Sequence, residues 1–395
     1  ASNGMGDAPD IQSAIYAASD GDVIQVLPGF YNESIDFLGK AITVQGSGVG
    51  STVLSALNES APVVTFSRGE GRASVLEGFT LSGGQGVVVD GAAYGGGVYI
   101  LDAEPTVRGN RIVHNFLNAG GASYGGGIYC GVTEGQVSRS PLIEANVIDE
   151  NSAATAGGGI SIGNHAAPVV VSNTISHNEA GLGGGVSFMG SAAQPSIREN
   201  RIEWNMAQTA GGGISGQGAE ASEILGNTLV FNVAGQGNAH EGSAIHLDNA
   251  SAVIQKNTLV KNRTNGLGGG SLVLSSCAEV LVEKNIFCYS QSGSGLVCLG
   301  SGTTIRNNLV WGNAESETGD CANWPEQNGN IVADPELCGM DQGDYRPASD
   351  SPVLGHPEGP LGAYENPGCG PVAVQEITWG GLKARYDSVS LKARN

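Results

Sequence analysis

The sequence is poor in charged and aromatic residues. Asp, Glu, Lys and Arg make up 14% of the 395 residues, and Phe, Trp and Tyr make up 6%, where about 25% charged residues is typical. A large compact core of bulky side chains is therefore excluded. No apolar run approaches the roughly 18 residues of a membrane-spanning helix. Glycine is abundant, with 64 residues, and 40% of the chain is hydrophobic, which favours a folded, repetitive chain over a disordered one.

Basic residues and metal-binding motifs are also scarce. Eighteen Lys and Arg residues oppose 38 Asp and Glu residues, so the net charge is −20. Such an acidic surface repels phosphate backbones, and we expect no nucleic-acid partner. The sequence has no Cys-x-x-Cys pair and no Cys/His spacing typical of zinc ligands. We therefore predict no metal centre and no cofactor. Calcium is the one ion that we keep as an alternative, because an acidic surface can bind cations.

Two patterns recur along the chain with a similar period. The pattern Asn-x-Ile/Leu-x-x-Asn begins at residues 110, 146, 173, 200, 227 and 257, with degenerate copies from 285 and 307. Glycine triplets precede a β-branched residue at 95–97, 125–127, 157–159, 183–185 and 211–213. A last triplet covers 268–270. Such a period indicates a solenoid or another repeat array.

Each repeat unit has the composition of short strands. Val-, Ile- and Leu-rich segments alternate with Gly, Asn and Ser, without a helical period. The unit length fits one rung of a parallel β-helix, and about eleven or twelve rungs are expected. We predict that the Asn residues occupy left-handed turns and bond to the next rung, and that the glycine triplets form positive-φ corners. The third motif position should form an inward aliphatic column: Ile112, Ile148, Ile175, Ile202, Leu229, Leu259, Phe287 and Leu309.

Both ends of the chain resemble one protein family. The segments Asp10-Ile-Gln-Ser-Ala-Ile-Tyr-Ala-Ala and Asp20-Gly-Asp-Val-Ile-Gln-Val-Leu-Pro-Gly-Phe-Tyr31, with Ala333-Asp-Pro-Glu-Leu near the end, resemble secreted right-handed parallel β-helix proteins of the pectate-lyase type. The resemblance implies an all-β, single-stranded right-handed parallel β-helix with an N-terminal capping helix and an irregular C-terminal cap. We predict a cap at 1–22, the β-helix at 23–315, a C-terminal cap region at 316–371 and a tail at 372–395.

The catalytic motifs of enzymes in that family are missing. Asp102, Glu104 and Arg108, with Asp149 and Glu150 about a rung away, come nearest to the base-and-calcium arrangement of a uronate lyase. We interpret them as solvated charges and predict no catalytic residue. A uronate-polysaccharide lyase is the alternative.

The fifth motif position forms a second column of interest. It contains, in order, His114, Glu150, His177, Trp204, Phe231, Lys261, Tyr289 and Trp311. Aromatic faces stack on sugar rings, so we predict a glycan-binding strip at Trp204, Phe231, Tyr289 and Trp311. The alternative is that these side chains shield the backbone of neighbouring rungs. The position before the motif holds Glu199, Lys256, Lys284 and Arg306, whose cations could attract a carboxylated glycan.

Cysteines and glycosylation motifs give further expectations. The seven cysteines leave at least one unpaired; Cys277 could stack on or bridge Cys298, and Cys321 could pair with Cys338. The sequence begins at Ala1, and we expect an exported, extracellular or cell-surface protein whose signal has been removed. Four Asn-x-Ser/Thr motifs are candidate glycosylation sites: Asn32, Asn58, Asn249 and Asn262.

The last 24 residues differ from the rest in charge. Residues 372–395 carry four basic and two acidic side chains. Their sequence resembles short terminal segments of secreted bacterial β-helix proteins, where such segments are associated with sorting. Trp379, Lys383, Arg385 and Tyr386 could dock this tail on an acidic second copy and propagate a filament. We therefore predict a non-catalytic extracellular rod that assembles with itself and associates with polysaccharide; an isolated glycan-binding module is a further alternative.

Overall fold

The N-terminal end of the rod is covered by a short helix. The computed structural model describes residues 7–57, 60–117, 120–235, 241–266, 268–300, 302–321 and 323–370. Helix α1 (Ile11–Ala17) begins after Asp10, whose carboxylate accepts the Ser13 N–H at 2.6 Å. Ile11 and Ile15 are buried against the first rung, so the predicted capping helix is confirmed. Within the described ranges, no helix is long and apolar enough to cross a membrane.

After α1 the chain winds through four sheets, and the strands are numbered in chain order. Sheet 1 contains β1 (Val23–Val26), β4 (Thr43–Gly46), β7 (Val75–Glu77), β12 (Thr106–Arg108), β17 (Leu142–Glu144), β21 (Val169–Val171), β25 (Ser196–Arg198), β29 (Ser222–Leu225), β33 (Ala252–Gln255), β37 (Val280–Glu283) and β40 (Thr303–Arg306). Sheet 2 contains β2 (Gly29–Asn32), β5 (Thr52–Ser55), β8 (Thr80–Ser82), β13 (Arg111–Val113), β18 (Val147–Asp149), β22 (Thr174–Ser176), β26 (Arg201–Glu203), β30 (Thr228–Val230), β34 (Thr258–Val260), β38 (Ile286–Cys288), β41 (Leu309–Trp311) and β43 (Ile331–Val332).

The other two sheets complete each turn. Sheet 3 contains β9 (Val87–Val89), β10 (Ala92–Tyr94), β14 (Phe116–Leu117), β15 (Ser123–Tyr124), β19 (Ser152–Ala156), β23 (Glu179–Leu182), β27 (Met206–Ala210), β31 (Val233–Ala234) and β35 (Arg263–Thr264). Sheet 4 contains β3 (Ile35–Asp36), β6 (Val64–Phe66), β11 (Val98–Leu101), β16 (Ile128–Gly131), β20 (Ile160–Ile162), β24 (Val186–Met189), β28 (Ile214–Gln217), β32 (Gly242–Asp248), β36 (Gly270–Ser275), β39 (Ser294–Leu299) and β42 (Thr318–Gly319). Neighbouring strands in sheets 1, 2 and 4 are parallel, and the predicted parallel β-helix is confirmed.

The inward column of sheet 2 follows the predicted stacking except in its last member. Ile175 lies opposite Ile202, and Ile202 lies opposite Leu229, with all three fully buried. At the end of the column, however, Phe287 lies opposite Val310. The prediction for Leu309 was wrong because the last motif copy begins at Asn308, one residue later than expected.

The motif asparagines form two buried ladders. Most of these side chains bond to the asparagine of the next rung; for example, Asn178 Nδ2 donates to Asn205 Oδ1 at 3.0 Å, and Asn205 Nδ2 donates to Asn232 Oδ1 at 3.0 Å. The predicted bonding between rungs is confirmed. The predicted left-handed backbone is found instead on the residue before, as at Trp204 with a φ of 57°. The asparagine can therefore turn its amide into the rod.

Glycine triplets form the corners between sheets 3 and 4, as predicted. The first glycine has a positive φ, as at Gly183 with 59°. The third has no room for a side chain, because a Cβ at Gly185 would lie 2.6 Å from Gly213 O. The triplet therefore serves both the turn and the close stacking of backbones.

The C-terminal part of the described chain closes the core and then follows sheet 2. Trp324 packs on Phe287, with ring centroids 6.0 Å apart. The following residues include an antiparallel pair, β44 (Leu337–Gly339) and β45 (Asp344–Pro347), joined by a 3₁₀ turn at Met340–Gln342. They cover the outer face of sheet 2, where buried residues of both partners meet: Val230, Val260, Ile286, Cys288, Leu309, Leu337, Tyr345, Val353 and Leu361. We call residues 333–370 the C-terminal strap.

Two disulfides differ from the expected pairs. The bonds are Cys298–Cys321 and Cys338–Cys369, whereas Cys277 is a buried free thiol. The prediction of Cys277 with Cys298 was wrong because the register places Leu274 opposite Cys298. On the next rung Cys298 lies opposite Gly319, and Cys321 follows two residues later. Cys321 therefore bonds to Cys298 and is not available to Cys338.

Candidate functional site

The corner between sheets 2 and 3 carries a column of outward side chains that differ in residue type from rung to rung. The corner column consists of residues with φ between 51° and 57°, each followed by a buried ladder position: His114, Glu150, His177, Trp204, Phe231, Lys261 and Tyr289. The left-handed backbone turns the chain while the next side chain enters the ladder.

The middle of the corner column is a continuous stack. The rings of Trp204 and Phe231 lie nearly parallel at 4.2 Å between centroids, and those of His177 and Trp204 at 6.5 Å. Lys261 Nζ lies 5.5 Å from the Phe231 centroid on the next rung, a cation–π contact. We call His177, Trp204 and Phe231 the aromatic step. Phe231 and His177 flank the indole from the two neighbouring rungs, and Trp204 nevertheless keeps 50% of its surface exposed.

Carboxylates on sheet 2 border the aromatic step. Asp149 is the most connected of them: Ser176 Oγ donates to it at 2.8 Å, His177 Nδ1 lies 3.0 Å away, and Arg111 forms an ion pair at 3.6 Å. Glu203 pairs with Arg201 at 2.7 Å. The border thus offers carboxylate oxygens held in place by neighbouring donors, which suit hydroxyl groups of a ligand.

Two of the four predicted glycan-binding residues lie away from the step. Tyr289 is in the corner column, but its hydroxyl donates to Asp334 of the C-terminal strap at 2.6 Å. The pKa of the phenol is raised, mainly by burial and also by the hydrogen bond to the Asp334 carboxylate. Trp311 lies opposite Cys288 on the outer face of sheet 2, and Gly312 takes the corner instead. The shift has the same cause as that at Leu309, the start of the last motif copy at Asn308.

The predicted column of cations is used within the chain. Lys256 forms an ion pair with Glu365, and Lys284 Nζ donates to Glu358 O at 2.5 Å, both in the C-terminal strap. Arg306 lies outside that column and pairs with Glu283 at 2.9 Å. These cations stabilise the folded chain and are not presented together to a carboxylated ligand.

The charges considered for a lyase are divided between different parts of the rod. Arg108 on sheet 1 pairs with Glu77 at 2.6 Å, and Asp102 accepts the Thr133 hydroxyl at 2.6 Å. Asp149 and Glu150 belong to sheet 2 and its corner. The fold therefore does not assemble these residues into one base-and-calcium site.

The glycosylation candidates differ in accessibility. Asn32 and Asn249 are exposed. Asn262 is fully buried in the ladder, and its Nδ2 donates to Leu229 O at 2.9 Å, so the prediction there is wrong for the folded chain. Asn58 and the predicted docking residues of the tail, Trp379, Lys383, Arg385 and Tyr386, lie outside the described residues.

Sequence reasoning missed the contribution of the C-terminal strap. Asp334 bonds to Tyr289, and Asp341 forms an ion pair with Lys261 at 3.3 Å. The sequence contained one indication of the strap. The outward positions of sheet 2 are charged at Arg201 and Glu203 and include apolar residues from Val230 onward. An apolar outer face of this kind is usually covered by another part of the protein or by a partner.

Comparison with known proteins supports the fold. A family model described as "Periplasmic copper-binding protein (NosD)" matches residues 142–294, less than half of the chain. No curated protein matches. The predicted resemblance to parallel β-helix repeat proteins is confirmed by this match and by the fold.

Several solved structures are similar in fold. XylC in complex with xylose is 11% identical, with 71% of this chain and 56% of that chain covered and a TM-score of 0.37. The alginate lyase AlyGC of family PL6 is 13% identical, with 91% and 58% covered and a TM-score of 0.41. The PL6 polysaccharide lyase Pedsa3628 from Pseudopedobacter saltans is 14% identical, with 90% and 96% covered and a TM-score of 0.40. This chain thus spans little more than half of XylC and AlyGC, and the likeness concerns the fold alone.

The copper named for the matched family has no fitting site in the described part of the chain. Copper favours thiol, thioether and imidazole ligands. Cys130, Cys277 and Cys288 are separately buried, and burial raises the pKa of each thiol. No group of three His, Cys, Asp or Glu side chains there is placed to hold a metal ion.

Proposed function

We propose that this chain is a non-catalytic, extracytoplasmic β-helix rod that holds a polysaccharide at the aromatic step. The observation that carries the proposal is Trp204, which is half exposed although Phe231 supports its indole from behind at 4.2 Å. A supported ring loses little freedom when a ligand stacks on it. Sugar rings present C–H faces that pack on such aromatic surfaces.

The charges near the step favour a neutral polysaccharide. Asp149 and Glu203 border it, while Arg111, Arg201 and Lys261 are already paired with carboxylates. Carboxylates accept hydrogen bonds from sugar hydroxyls, and they repel uronate chains. A uronate lyase gains no support from the separated charges of Arg108 and Asp149.

An extracytoplasmic location follows from two supporting observations. Disulfides persist in oxidising compartments, and the described chain has two of them. The matching family model is described as periplasmic. Whether this rod is secreted or held at a cell surface belongs to the proposal.

Replacement of Trp204 tests the glycan site. We expect Trp204→Ala to weaken binding to neutral polysaccharides about tenfold in affinity electrophoresis or calorimetry, since a stacking partner is lost. Trp311→Ala is the matched control, because Trp311 is also exposed, at 38%, and lies outside the step. Equal losses in both variants, or none in Trp204→Ala, would contradict the proposal.

Self-assembly through residues 372–395 is the second part of the proposal. It is supported by the charge contrast between this basic segment and the acidic remainder of the chain. Light scattering of the full chain should show species larger than a monomer at low salt, and deletion of 372–395 should leave only the monomer. A full-length chain that stays monomeric at all concentrations would refute this part.

A further inference from the structure

Among the residues that the structure describes, strand β1 has no partner strand on one edge of sheet 1, at the N-terminal end of the rod. It pairs on one side with β4, where Thr43 N donates to Asp22 O at 3.0 Å and Ser47 Oγ donates to Val26 O at 2.8 Å. Because successive residues of a strand direct their backbone groups to opposite sides, the groups of Val23 and Gln25 point away from β4. No strand in the described part of the chain pairs with them. Such an edge is a template for strand addition.

Beside this edge, α1 and β1 enclose a groove of about 540 Å³. Its apolar lining includes Ala14, Ala17, Ile24 and Leu27. Ile24 occupies the inward position of β1 and is half-buried, whereas Val44, its partner on the next rung, is fully buried. The helix therefore leaves part of the first rung uncovered, and an apolar segment placed there would gain burial.

The groove is acidic as well as apolar. Asp7, Asp10 and Asp22 belong to its lining, without a basic side chain among the lining residues. Hydrogen bonds from the side chain and then the backbone N–H of Ser13 lower the pKa of the Asp10 carboxyl group. A matching ligand would be an extended segment with one apolar face and several cations.

The tail of this chain has that pattern. In Leu382-Lys-Ala-Arg-Tyr386, apolar side chains alternate with cations, and Leu-Lys-Ala-Arg recurs at 391–394. In a strand, alternate side chains point to opposite faces, so the apolar residues would lie on the groove and the cations at its acidic surface.

We propose that the groove between α1 and β1 binds residues 381–387 of a second copy as an added strand of sheet 1. This inference rests on the proposed self-assembly and names its docking site. The contact joins different surfaces of the two copies, so it propagates along one direction and yields a filament.

Cross-linking between full-length variants tests the site and the origin of the tail. One variant carries Gln25→Cys on the outward face of the open edge, and the other carries Lys383→Cys on the matching face of the tail. Mixing should produce a disulfide-linked dimer, with little background because the native free thiols are buried. A chain carrying both changes that links only within itself would show binding to its own groove and would overturn the proposal, as would the absence of any link.

Two substitutions that each add a positive charge to α1 distinguish docking in this groove from self-assembly at another surface. Ala17 lines the groove, whereas its neighbour Tyr16 is exposed outside the lining. Ala17→Arg should weaken association about tenfold or more, and Tyr16→Arg should leave it unchanged. If tail deletion abolishes association and Ala17→Arg has no effect, self-assembly stands and the groove proposal falls. Circular dichroism of both variants verifies folding.

Discussion

At the scale of single residues, two neighbours in sequence have different roles at each corner between sheets 2 and 3. The corner residue adopts the left-handed backbone, and the asparagine after it enters the buried ladder. His177 and Asn178, or Trp204 and Asn205, illustrate the pair. The corner side chain is thereby free to vary, which explains how His, Glu, Trp, Phe, Lys and Tyr share one structural position.

Loss of one ladder asparagine should be costly. Asn205 Nδ2 donates to Ile175 O at 2.8 Å, and its Oδ1 accepts from the backbone and side chain of Asn178 at 3.0 Å. Asn205→Ala leaves these buried groups without partners, so we expect the free energy of unfolding to fall by about 3 kcal/mol. Urea denaturation measures the change. Asn32→Ala, at an exposed asparagine, is the control, and equal effects would argue against the ladder as a stabilising feature.

At the scale of the element, the glycine corners set the distance between rungs. In each triplet the backbone of one rung lies against the carbonyl oxygens of the next, as at Gly185 and Gly213. A side chain is excluded there by the backbone of the next rung, which cannot move away as a flexible side chain can. The corners therefore restrict the sequence more than the surrounding strands do.

A methyl group in such a corner should destabilise the rod. At Gly185 a Cβ would lie 2.6 Å from Gly213 O and 3.2 Å from Ile202 Cγ2. We expect Gly185→Ala to lower the free energy of unfolding by about 3 kcal/mol. Gly71→Ala should change it by less than about 0.5 kcal/mol, because nothing lies within 4 Å of the added atom. Thermal or urea unfolding of both variants would reveal whether the difference exists.

The C-terminal strap is the other element with a clear energetic role. It buries the apolar outer face of sheet 2 and is fixed by Arg201, whose guanidinium donates to Gly343 O at 3.1 Å and lies over the Tyr345 ring. Without the strap, Val260, Ile286 and Leu309 would form an exposed apolar surface. The strap therefore completes a face that the rungs alone leave unfinished.

At the scale of the whole molecule, the seven cysteines divide into two disulfides and three buried thiols. The thiolate is the nucleophile that attacks a disulfide reagent, and burial raises the pKa of Cys130 and Cys288. The native chain should therefore react slowly with a chromogenic disulfide reagent.

Counting thiols after unfolding tests this arrangement. Unfolding without a reductant should reveal the three free cysteines, Cys130, Cys277 and Cys288, and reduction should then release the four paired ones. Five reactive thiols before reduction would mean that one of the two disulfides does not form. Mass spectrometry of the non-reduced digest identifies the partners.

The sequence alone determined the repeat, its parallel stacking, the inward column and the glycine corners. These features follow from the local sequence, because the face of a side chain depends on its position in the repeat and the backbone freedom of glycine comes from its missing Cβ. The motif spacing therefore suffices to place Ile175, Ile202 and Leu229 over one another in the core.

Only the tertiary structure decided the rest. Asn307 has the expected leucine at the third motif position, and Asn308 has the expected asparagine at the sixth. The bond from Asn285 to Asn308 selects Asn308, and that choice moves Trp311 off the corner. The partner of Cys298 and the position of the C-terminal strap depend in the same way on residues that meet through register and docking. Such contacts join distant parts of the chain, and the repeat period does not specify which of these residues meet.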